Sequence, residues 1–110
     1  VGLSGVQARC VFCQPPGGGA RLELLQYLAP EGVPQSSNSL ANTPGLRHIA
    51  FEVDDIAQTY HRLTEAGVRS LSPPVSVPFS LMDGIQKSLC YLLDPDGVIV
   101  EICEHRRTQT

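Results

Sequence analysis

The sequence predicts an α+β domain assembled from βαβββ units, of which the first lacks its opening strand and helix. Three observations carry this reading. Residues 45 to 105 pass through strand-like and helix-like hydrophobic periods in the order β-α-β-β-β. Residues 6 to 28 hold a strand, a Pro/Gly turn and a second strand. The two parts also end alike. CVFCQPPGGGARLELLQ and SLCYLLDPDGVIVEICE each run strand, turn and apolar strand, with one interior glutamate, Glu23 in the first and Glu101 in the second.

Taken in order, VQARCVFC (6–13) alternates as a strand does. QPPGGG (14–19) is a loop, because Pro15 and Pro16 offer no N–H to a ladder and the glycines permit positive φ. ARLELLQYL (20–28) is rich in good helix formers, yet the tight Gly-rich connection favours a strand returning on the first. APEGVPQSSNSLANTP (29–44) reads as a linker. LRHIAFEV (46–53) is a strand, followed by a helix over 55–66 with Asp54 as its N-cap. Ile56, Tyr60 and Leu63 recur at i, i+4 and i+7 to make its apolar stripe, and Gly67 stands where a C-terminal cap belongs. Residues 68–71 are expected as a short strand. SPPVSVPFSLMDG, with its three prolines, suits an edge strand or loop. KSLCYLLD (87–94), the turn DPDG (94–97) and VIVEICEH (98–105) close the chain as a hairpin. The expected domains are therefore 1–28, the end of a first module; 29–44, a linker; 45–106, a second module; and 107–110, a tail.

Composition narrows the function classes. The formal net charge of the 110 residues is −3, and the eight Lys and Arg side chains are scattered. Nucleic acid or an anionic membrane wants a basic patch, so neither is expected as a partner. No apolar run nears the roughly 18 residues of a membrane span. The N-terminus, VGLSGVQARC, lacks the basic and apolar regions of a signal peptide. It also lacks an initiator Met and starts close to a strand, so the chain is expected to begin inside a longer gene product. Cys10 and Cys13 form a Cys-x-x-Cys pair, but alternation along a strand points them to opposite faces, away from a shared metal. Together with Cys90 and Cys103 they read as reduced, small apolar residues of a cytoplasmic protein.

Three polar residues interrupt apolar strands. His48 shares a face with Leu46, Ala50 and Glu52. Glu101 shares one with Ile99 and Cys103, and Glu23 lies with Arg21, Leu25 and Tyr27. A carboxylate on a covered strand face is costly unless it is paired or bound to a metal. An imidazole and two carboxylates at the middles of three strands make a divalent-metal set suited to Zn, Ni, Mn, Co or Fe. Other readings stand beside this one. His48 can be a hydrogen-bonded core residue, Glu23 can pair with Arg21 or face solvent, and Glu101 can lie on the wet face of an edge strand.

GLRHIAFEVDDI, the amphipathic helix after it and DPDGVIVEICE resemble the second module of the vicinal oxygen chelate superfamily. That group includes glyoxalase I, methylmalonyl-CoA epimerase, extradiol dioxygenases and the fosfomycin- and bleomycin-resistance proteins. RLELLQYLAP resembles the closing strand of the first module. The resemblance implies paired modules whose mixed sheet forms a cup around a divalent metal. It implies His48, Glu101 and Glu23 as ligands, with a further ligand on a strand this sequence does not contain. It also implies a small-molecule substrate and a homodimer. Glu23 and the DPDG turn are glyoxalase-like, while GLRHIAFEVDDI and RSLSPPV are epimerase-like. The expected activity is that of a metal-dependent lyase or isomerase, in which Glu101, or Glu23 as its rival, moves a proton beside a chelated oxygen pair. A non-catalytic drug-binding protein and a ring-cleaving dioxygenase are the alternatives.

Overall fold

The computed structural model describes residues 1–34, 40–79 and 82–108. Residues 35–39 of the expected linker and 109–110 of the expected tail lie outside the described residues. The chain forms two compact units, Val1–Ser36 and Ser37–Thr110.

The first unit is an antiparallel hairpin of β1 (Gln7–Cys13) and β2 (Leu22–Ala29). Its connection turns through a Gly18 N–H bonded to the Pro15 carbonyl at 3.0 Å. Gly18 and Gly19 follow at φ 85° and 98°, a region costly for any residue with a Cβ. The helix formers of 22–29 are overridden because seven of the eight strand positions find a partner on β1, Leu28 being passed over at a register shift. The register sets Phe12 opposite Glu23 and Cys10 opposite Leu25.

The second unit is a four-stranded sheet with one helix. β3 (His48–Glu52) leads into α1 (Ile56–Glu65), and β4 (Val75–Ser76), β5 (Ile85–Leu93) and β6 (Ile99–Arg107) follow. The sheet order is β3-β6-β5-β4, with β3 parallel to β6 and the other pairs antiparallel. Two local expectations are corrected. The N-cap of α1 is Asp55, not Asp54: its carboxylate accepts from the Gln58 N–H at 2.9 Å, the reach an N-cap requires toward its N3 position. Residues 68–71 form no strand. Ser70 makes an isolated bridge to Leu92, and Pro73 and Pro74 then interrupt pairing before β4 forms on the same edge. The far end of α1 closes as expected, with Gly67 at φ 92° and the Val68 N–H returning to the Leu63 carbonyl.

Directly paired residues share a face, so the register divides the sheet cleanly. Cys90, Leu92 and Ile102 face α1 and pack with Ile56, while Val53, Tyr60, Leu63 and Val68 surround them. The stripe read from Ile56, Tyr60 and Leu63 is the buried side of the helix, and each such apolar side chain contributes about 1.5–3 kcal/mol when fully covered. The opposite face carries His48, Ala50 and Glu52 on β3, Ile99, Glu101, Cys103 and His105 on β6, and Lys87, Leu89 and Tyr91 on β5.

Cys90 is fully buried, and its thiol donates to the Ser72 carbonyl at 3.0 Å. Burial pushes this thiol up from its ordinary 9.0. The unfolded chain therefore loses the proton first, and stability is whole below 9.0 and falls as pH rises through the folded value. Urea unfolding midpoints are expected to decline as pH rises above 9.0, with a flatter decline in Cys90→Ala. An equal slope in both proteins would remove Cys90 as the cause.

Candidate functional site

The face away from the helix gathers the polar groups. β6 lies inside the sheet, between β3 and β5, so Glu101 is on no wet edge and is 3% exposed. Its neighbours across the two ladders are Ala50 on β3 and Tyr91 on β5. Ala50 is small, which leaves room for the residue one pleat earlier. His48 places Nε2 3.1 Å from Glu101 Oε2, and its ring lies 5.1 Å from that of Tyr91. The imidazole is thus oriented by an aromatic neighbour on one side and a carboxylate on the other. His48 opens its strand; the expectation of a mid-strand residue is corrected by the β3 boundaries.

Lys87, which the sequence reading did not single out, completes the cluster. Its Nζ lies 2.6 Å from Glu101 Oε1, within charge-assisted hydrogen-bond distance. The contact with Glu101 holds the Lys87 ammonium above the ordinary lysine value of 10.5. A signal for it was present in the hairpin. The DPDG turn sets Tyr91 opposite Glu101, and alternation then returns Lys87 to the same face two pairs along, opposite His105. What spacing does not show is the four-carbon stem reaching back to Glu101. Further along the face, His105 Nδ1 lies 3.0 Å from Glu52 Oε1.

Glu23 is held within the first unit. Its Oε1 accepts from the Cys10 thiol at 3.2 Å, which pushes that thiol's pKa upward. Arg21 lies over the Phe12 ring, 5.3 Å from its centroid. The internal likeness of the two hairpins extends to their registers: Glu23 faces Phe12 and Glu101 faces Tyr91, one glutamate against one aromatic in each. Within the second unit, no third His, Cys, Asp or Glu among the described residues joins His48 and Glu101 in a metal-holding group.

A second buried carboxylate, Glu104, was also missed. It lies on the helix side of β6, 4% exposed, where Oε2 accepts from the Ile56 N–H at 2.8 Å and Oε1 meets Arg106 Nε. It supplies an acceptor to the first turn of α1, beside Asp55.

A mixed sheet with a helix on one side and an imidazole–carboxylate pair on the other defines a βαβββ protein whose polar site lies on the sheet face. The chain belongs to the Glyoxalase/Bleomycin resistance protein/Dioxygenase superfamily, whose family model matches residues 6–102. Among solved structures it is similar to a glyoxalase family protein from Bacillus cereus, at 22% identity and a TM-score of 0.71, over 91% of this chain and 63% of that one. It is also similar to a protein from the mobile metagenome of V. Pseudocholerae, at 21% identity and a TM-score of 0.56, over 91% of this chain and 75% of that one. At these identities the likeness is one of fold. No protein of curated function matches the chain. No helix among the described residues is long and apolar enough to cross a membrane.

Proposed function

We propose that the protein is a metal-dependent lyase or isomerase of glyoxalase type, moving a proton beside a chelated pair of oxygens on a small substrate. The observation that carries this is the buried Glu101 carboxylate with His48 Nε2 3.1 Å from its Oε2. Two donors bound to one ion at about 2.1 Å each stand roughly 3.0–3.4 Å apart, so the pair fits a shared divalent cation. His48 and Glu101 would hold the ion. A divalent ion, when bound, supplies Lewis acidity to adjacent substrate oxygens.

The remaining chemistry belongs to this chain's side chains. Glu101 is the proton carrier, its buried carboxylate taking and returning the proton. Tyr91 keeps the His48 ring in place, and the buried strand floor of Ile99 and Cys103 limits water around the carboxylate. Proton transfer between adjacent carbons then yields an isomer of the substrate.

Elemental analysis of the purified protein tests this reading. About one divalent ion per chain is expected, falling to a small fraction in His48→Ala with the fold retained by circular dichroism. Metal-free protein that binds a small molecule equally well with and without His48 would instead identify a non-catalytic binding protein.

A further inference from the structure

Lys87 is the one lysine in the 110-residue sequence, and its ammonium sits against the most buried carboxylate of the site. The two oxygens of Glu101 are divided between two basic groups, Oε2 toward His48 at 3.1 Å and Oε1 toward Lys87 at 2.6 Å. The carboxylate side chain is 4% exposed, so its charge needs a counter-charge at all times. The Lys87 side chain is 18% exposed, so its stem reaches solvent while its head stays on Glu101.

We propose that Lys87 is a built-in counter-cation for Glu101 that competes with a divalent metal and must leave the carboxylate for the metal to bind. This rests on the metal-dependent reading given above. A divalent ion on Glu101 and an ammonium at its present distance from Oε1 are like charges a few ångströms apart, and their repulsion inside the protein is strong. The ammonium has a route out, since a four-carbon stem can turn its head into water. Removing the ammonium acts twice in the same direction. It abolishes the repulsion, and it leaves the metal-free carboxylate buried without compensation, so the ion is taken up more tightly.

The test is calorimetric titration of the metal-free protein with Ni²⁺, comparing wild type, Lys87→Met and Lys87→Arg, with His48→Ala as background. Lys87→Met is expected to bind at least about tenfold more tightly, ~1.4 kcal/mol, and Lys87→Arg no more tightly than wild type. Lys87→Met can also fail to fold, so a second measurement uses the wild-type protein alone. Acylation of the Lys87 amine, followed by mass spectrometry of its peptide, is expected to speed up several-fold when Ni²⁺ saturates the site. Stoichiometric binding of equal or weaker affinity in Lys87→Met, or unchanged acylation at saturation, would overturn the role of Lys87 and leave the metal reading standing. Absence of stoichiometric Ni²⁺ in wild type and Lys87→Met alike would overturn both.

Discussion

Glu101→Gln is expected to lower turnover by about 10²–10⁴-fold while the protein still folds. The substitution keeps the shape of the side chain and removes both the charge and the basic oxygen. A carboxamide can neither take a proton from an acidic C–H nor neutralise a cation on its Oε1 side. The cost to stability is smaller because of which partner is left behind. Lys87 loses its counter-charge, but at 18% side-chain exposure it can turn its head to water. Removing the lysine instead strands a carboxylate that is 4% exposed, the costlier error at about 3–5 kcal/mol for a buried pair. Turnover is measured as solvent deuterium entering the product carbon of a small substrate with two adjacent oxygens, and stability by urea unfolding. Retained turnover with exchange intact would remove Glu101 as the proton carrier. A melting loss in Glu101→Gln as large as that of Lys87→Met would contradict the asymmetry of burial.

The parts of this site that the sequence exposes are those set by strand alternation. Glu101 stands out because Ile99 and Cys103 share its face, and His48 because Ile49 and Phe51 flank it in an apolar run. Their meeting depends on β3 lying parallel to β6, with Ala50 opposite Glu101. A βαβ crossover makes that arrangement natural, since parallel strands need an intervening helix. Asp55 rather than Asp54 as the cap is a shift of one residue, decided by which carboxylate reaches the Gln58 N–H. The bridge at Ser70, in place of a strand over 68–71, was illegible because the hydrophobic period of four residues is too short to separate strand from extended loop. Lys87 was passed over for another reason. A lysine at the start of a strand reads as solvated, and its contact is made by side-chain length rather than by register. Glu104 carried no local sign at all, since its partner Ile56 is 48 residues away in the chain.

Glu104→Ala is expected to be among the most destabilising single changes in the second unit, at about 3–4 kcal/mol, whereas Glu104→Gln should cost about 1–2 kcal/mol. Three terms set the first figure. The Ile56 N–H, at the buried start of α1, loses its acceptor, and an orphaned buried donor costs about 1–3 kcal/mol. The helix N-terminus loses a nearby negative charge, worth about 0.3–1 kcal/mol or more where partly buried. Truncation also opens space beside Ile102 and Ile56 in the core. Glutamine keeps an acceptor in reach of Ile56 and fills most of that space, so only the charge is lost. The Arg106 contact contributes little to the difference, because its side chain is 72% exposed and water screens the pair. Arg106→Ala should therefore shift stability by less than about 1 kcal/mol. Urea unfolding of the three variants at one pH separates these terms. A loss under about 1 kcal/mol in Glu104→Ala, or equal losses in Glu104→Ala and Glu104→Gln, would show that the Ile56 N–H does not depend on this carboxylate.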